Sequence, residues 1–139
     1  MVIERSIWIN APRERVWEAV TDPVQIAQWF APGTEISQRD NKIVVRMGEM
    51  DIEVAVIEKV DPPHRIVTRG LPEMTITTTY TLEEENGGTR FTVTESGLEN
   101  LPVDARQKRT EQDSAGWELA LGNLNAFIQG RPLPHPQGF

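Results

Sequence analysis

At 139 residues, with 21 acidic side chains against 14 basic ones and a formal net charge of -7, the chain has the length of one domain and a charge that phosphate backbones and anionic membrane faces repel. It has no cysteine, which excludes disulfides, thiolate chemistry and zinc-thiolate sites. No stretch approaches the roughly 20 apolar residues of a membrane span, and MVIERSIWINAP lacks the basic segment and apolar run of a signal peptide, so a cytoplasmic protein is expected.

Val2 to Asn10 alternates and is rich in β-branched residues, which predicts a strand with Ile3, Ile7 and Ile9 on one face. Ala11-Pro12 then turns the chain into a short helix: Pro12 suits the first helical position, Glu14 favours the positive end of the dipole, and Val16, Trp17 and Val20 form the apolar stripe. Asp22-Pro23-Val24-Gln25 repeats the start signal, with Asp22 as cap and Gln25 placed for a capping box. This second helix carries Ile26, Trp29 and Phe30 and stops at Pro32-Gly33.

Strand signals follow at about 35–38, 42–48, 52–60, 65–71, 74–84 and 89–96, separated by short polar or glycine-rich turns. Such short connections predict antiparallel hairpins, because a parallel crossover needs a dozen residues or more. The last helix is expected from Val103 or Asp104 to Gln129. Its first half is polar; its second half shows Trp117, Ala120, Leu121, Leu124 and Ile128 at helical spacing, one face laid on a sheet. The basic cluster Arg106, Lys108 and Arg109 is followed at once by Glu111 and Asp113 and reads as a solvated helix face, so nucleic acid is not an expected partner. Residues 131–139, RPLPHPQGF, read as an extended, partly disordered tail beyond a single domain at 1–130.

No nucleophile elbow, phosphate loop or dinucleotide fingerprint is present, and no catalytic residue, metal or cofactor is assigned. His64 and His135, the only histidines, read as exposed loop residues. The concave face of the sheet is the remaining place for a site. Alternation puts Ile52, Val54, Val56 and Glu58 on one face, and Phe91, Val93 and Glu95 on another strand's equivalent face. Glu95 then points inward near a strand end, with Tyr80, Thr78 and Glu58 as neighbours, or else sits at the rim, solvated or paired with an arginine. Tryptophans at helical apolar positions are more often core than ligand platform. The Trp29-Phe30 pair, ending a helix before a Pro-Gly break, is the best exception, and Met47, Met50 and Met74 can supply adaptable walls. The cavity candidates are Trp29, Phe30, Met47, Met74, Tyr80, Glu95, Trp117 and Leu121.

Asn10-Ala11-Pro12, Val16-Trp17, Thr21-Asp22-Pro23 and Gln28-Trp29-Phe30 resemble the amino-terminal signature of the START-like, or polyketide cyclase/dehydrase-like, superfamily. They are most similar to its branch named after the activator of the heat-shock protein 90 ATPase. Asp61 to Val67, Gly88 to Thr92 and Gly116-Trp117 through Leu121 to Leu124 match in order, so the resemblance covers nearly all of the chain before the tail. It implies an α+β helix-grip fold: a curved antiparallel sheet of six to seven strands around the long C-terminal helix, with two short helices after strand 1. It also implies a cavity between sheet and helix that binds hydrophobic molecules in many members, and it carries over no active site. Binding of a small hydrophobic molecule is therefore the leading expectation. A protein-interaction or chaperone-associated stress-response module with a filled interior is the alternative. A cyclase- or hydrolase-like enzyme using Glu95 with Tyr80 or Glu58 is third.

Overall fold

The computed structural model describes residues 2–137. The elements run β1 (Val2–Ile9), α1 (Arg13–Thr21), α2 (Pro23–Phe30), β2 (Glu35–Arg39), β3 (Lys42–Met47), β4 (Met50–Asp61), β5 (Arg65–Gly70), β6 (Thr77–Glu85), β7 (Gly88–Ser96), a single 3-10 turn (Leu98–Asn100) and α3 (Val103–Ile128). The strands form one antiparallel sheet in the order β1-β7-β6-β5-β4-β3-β2. Only β1 is out of sequence order, because α1 and α2 carry the chain from one sheet edge to the other. This is the expected helix-grip arrangement, with seven strands.

The helix ends follow the sequence signals with two adjustments. Pro12 caps α1 from outside rather than forming its first turn. Asp22 caps α2 by accepting the amide of Val24 at 3.0 Å, but Gln25 does not reach back to the backbone of Asp22. Its side-chain amide donates instead to the carboxylates of Asp22 (3.1 Å) and Glu18 (2.8 Å), tying α1 to α2 through side chains.

The core is continuous from β1 through α1 and α2 to α3. Ile9, Val16, Val20, Trp29, Phe91 and Leu124 are fully or almost fully buried in one cluster. Only the second half of α3 joins it, through Trp117, Ala120, Leu121 and Leu124; the first half is largely exposed. Burying that apolar stripe supplies the hydrophobic drive that holds the helix to the sheet.

Two expectations change. The strand expected to open at Met74 begins at Thr77, because residues 71–76 form a turn in which Met74 takes φ 62, outside the strand conformation. The tail is not free over its described residues. Asn123, fully buried on α3, accepts the amide of His135 at 2.9 Å and donates to the carbonyls of His135 (2.9 Å) and Trp29 (3.1 Å). That exchange leaves His135 half-buried; residues 138–139 lie outside the described residues. Among the described residues, no helix is long and apolar enough to cross a membrane.

Trp29 combines complete burial with an indole N–H donating to the carbonyl of Ala19 at 2.8 Å. Trp29→Ala therefore loses both the ring's packing and the α1–α2 tie, and is expected to lower stability by about 3–5 kcal/mol in urea unfolding.

Candidate functional site

The sheet curves away from α3 over β3 to β6. Irregularities in register between Ile43 and Val44 and between Ile57 and Lys59 add to the local twist. A partly open cavity of about 890 Å³ fills the space between the concave face, α1–α2 and α3. Cavities that hold small molecules measure about 300–1,000 Å³. The same irregularities break the expected alternation of β4. Val54 remains on the cavity wall, whereas Ala55 and Ile57 replace Val56, which is not on it. A second, shallower space of about 490 Å³ lies outside, between α2 and β2. Its central carboxylate, Asp51, is held below its usual range by hydrogen bonding to Arg39 and is also paired with Arg46, so its charges are already satisfied.

Register fixes the floor of the cavity. Thr68, Thr78 and Glu95 are successive cross-strand partners on β5, β6 and β7; Ile66, Tyr80 and Val93 form the neighbouring row. At the inner end the rings of Phe30, Tyr80 and Trp117 meet, with centroids 5.6 Å apart for Phe30–Trp117 and 5.9 Å for the edge-on Tyr80–Trp117 pair. Such tilted and edge-to-face contacts suit the ring quadrupoles.

Of the expected cavity residues, Phe30, Met47, Tyr80, Glu95 and Trp117 line the hollow. Trp29, Met74 and Leu121 do not. Trp29 turns its ring toward α1, as its bond to Ala19 shows. Leu121 is one turn beyond Trp117 and packs into the core cluster. Met74 sits on the 71–76 turn, partly exposed and off the wall. Three contributors went unassigned in the sequence. Trp17 reaches the wall together with Val20 and Thr21, the positions one turn apart on α1. Thr68 shares its row with Thr78. Arg109, read as part of a solvated face, reaches the cavity edge while its Nε bonds Asp113 at 2.8 Å. Nothing in a polar helical run marks which arginine lies above a hollow.

Glu95 is the buried polar group of the wall, with 7% of its surface accessible. Its Oε1 accepts the indole N–H of Trp117 at 3.1 Å; its Oε2 is fully buried and receives no donor. Burial pushes the Glu95 carboxyl up to about 7, helped by the Asp113 carboxyl within hydrogen-bonding reach and opposed by the Trp117 N–H and the charge of Arg109. Two ionised carboxylates offer only acceptors to each other. The contact is favourable when a proton on Glu95 is donated to Asp113. Tyr80 is pushed above its ordinary value by burial and then by the nearby Glu95 charge, which keeps its phenol protonated. Glu58, the other inward carboxylate considered, is held at the rim by Arg69 at 3.1 Å. His64 is exposed and off the wall, and the described residues contain no cluster of three or more metal-ligating side chains.

A seven-stranded antiparallel sheet gripping a C-terminal helix, with two short helices after the first strand, defines the START-like class. Within it, the chain belongs to the family of activator of Hsp90 ATPase homolog 1-like proteins, whose model matches residues 10–129. Among solved structures it is similar to DynU16, a protein of the dynemicin biosynthetic locus, at 25% identity and a TM-score of 0.72 over 97% of this chain and 50% of that one. The chain thus spans half the length of DynU16. The protein SSP2350 from Staphylococcus saprophyticus is 26% identical over 94% of both chains, with a TM-score of 0.71. The Aha1 dimer from Colwellia psychrerythraea shares the fold at 18% identity and a TM-score of 0.75, over 92% of this chain and 96% of that one. No curated protein gives a significant match to the sequence.

The raised Glu95 carboxyl has a signed consequence for stability. Its ordinary value of 4.5 applies when the chain unfolds, and about 7 applies in the fold. Between those values the folded state holds a proton that the unfolded state releases, so rising pH lowers stability across that window. The contribution is fully present below pH 4.5 and gone above about 7. The difference in thermal midpoint between the wild type and Glu95→Gln should therefore shift against the wild type from pH 4.5 to pH 8. A constant difference would contradict this assignment.

Proposed function

We propose that the protein binds a small, predominantly hydrophobic molecule in the cavity between its sheet and α3. The observation that carries this reading is a ligand-sized hollow whose walls are mostly apolar and whose inner end holds three aromatic rings and a buried carboxyl. Removal of the ligand's apolar surface from water supplies affinity, and the few polar groups orient it. The mouth is formed by α1–α2 and by the β3–β4 region, where Met47 is well exposed at the rim. Flexible, polarizable methionine suits a rim that must adapt to what enters.

A protein-interaction module calls for an interior closed by side chains, so the hollow favours the ligand reading. The acid-base reading has less support: Glu58 is held at the rim by Arg69, and Glu95, although near Tyr80, is engaged by Trp117 and lies against Asp113.

Ala55 lies on the cavity wall midway along β4 and has room in front of it. Ala55→Phe should place a ring in the hollow, lowering affinity for a neutral fluorescent probe such as Nile red by about tenfold or more with little change in unfolding midpoint. Equal probe binding by both proteins would count against the cavity as the binding site.

A further inference from the structure

We propose that the ligand is an uncharged, ring-bearing molecule with two or more hydroxyl groups along one edge, and that the hydroxyls of Thr68, Thr78 and Tyr80 pair with those groups. This inference rests on the ligand-binding reading above and makes it chemically specific.

The three hydroxyl-bearing residues occupy the cavity floor on two adjacent strands. Thr68 and Thr78 are directly opposed across β5 and β6, and Tyr80 lies two residues along the same face of β6. Among the described residues, these three hydroxyls make no hydrogen bond to another protein group. Each can donate one hydrogen bond and accept others, so the floor offers unused donors and acceptors in a fixed pattern. A wholly apolar ligand would strip water from all three and return nothing, which is unfavourable for each hydroxyl. A single-headed chain could satisfy one or two and would leave the others dry.

Spacing favours a rigid partner. Neighbouring strands are about 4.8 Å apart, which fixes the lateral separation of Thr68 from Thr78. Two hydroxyls in a meta relation on an aromatic ring have a comparable separation, whereas oxygens on a flexible chain must be ordered to reach it. The edge-on rings of Tyr80 and Trp117 supply apolar surfaces for such a ring system beside the polar pair.

Charge disfavours an anionic head at the inner end, which is remote from the cation that Lys59 contributes through β4. Glu95 and Asp113 lie together at the inner end, and Arg109, the cation beside them, is already bonded to Asp113. A ligand carboxylate placed there would face two carboxyl groups without a free cation. A neutral hydroxyl or carbonyl meets no such repulsion.

The test compares naphthoresorcinol, its dimethyl ether and dodecanoate by isothermal titration against the wild type and Thr78→Val, which keeps the side-chain shape and removes the hydroxyl. The diol should bind the wild type about three- to tenfold more tightly than its ether, and more tightly than dodecanoate. Thr78→Val should weaken the diol by a similar factor and the ether by clearly less, with an unaltered far-ultraviolet spectrum. Equal affinities for diol and ether, equal losses of both in Thr78→Val, or tightest binding of dodecanoate would overturn the polar-edge proposal and leave hydrophobic binding standing. Failure of all three probes to bind the wild type would overturn both readings.

Discussion

The indole N–H of Trp117 donates to Oε1 of Glu95 across the junction of α3 and β7, at 3.1 Å, and the geometry of the site depends on that contact. Below it, α3 is anchored by the apolar stripe from Ala120 to Leu124. Above it the helix turns polar and stands over space instead of sheet. Trp117 is therefore the last residue of the core and the first of the cavity, and its ring contacts both Phe30 of α2 and Tyr80 of β6. A sheet that curves this strongly, gripped by a helix along only half its length, must either fill the remaining space with side chains or leave it hollow. Here the floor positions of β5 and β6 are occupied partly by threonines, and Ala55 and Gly70 face each other across β4 and β5. Small residues at these positions keep the space open.

The buried carboxyl gives the hollow its polarity. A fully ionised Glu95 beside Asp113 would place two like charges in a poorly solvated corner, and one hydrogen bond from Trp117 would not offset that. Protonation of Glu95 relieves the conflict and turns its carboxyl into a donor facing Asp113. With Glu95 protonated, the inner end loses that like charge and remains rich in hydrogen-bonding atoms. That combination separates this cavity from a simple apolar void.

Much of the fold was legible because its signals are local. Pro12 and the Asp22-Pro23 pair mark two helix starts, turn residues punctuate the strands, and Trp117 to Ile128 carry helical periodicity. Within the sheet the site was most legible where a strand keeps strict alternation, as on β6 and β7, which brought Tyr80 and Glu95 inward. On β4 the register irregularities moved Val56 off the wall and Ile57 onto it, a change set by tertiary twist and invisible to period-two counting. Trp29 and Trp17 show the limit for helices. Both lie on apolar sides of short helices, yet Trp29 turns into the core to reach the Ala19 carbonyl and Trp17 faces the hollow. Arg109 and Asp113 owe their importance to the strand beneath them, which lies more than a dozen residues away in sequence. The anchoring of the tail was not legible for a similar reason, since it comes from the side chain of Asn123.

The central claim is that the hollow beneath α3 receives a small molecule. Intermolecular nuclear Overhauser contacts between a saturating neutral aromatic ligand and the methyl groups of the protein test it most directly. Contacts to Ile57, Ile66 and Thr78, whose side chains share the cavity wall, are the expected result. Contacts confined to exposed methyls such as those of Val24 and Val103, with none to the three inner residues, would contradict it.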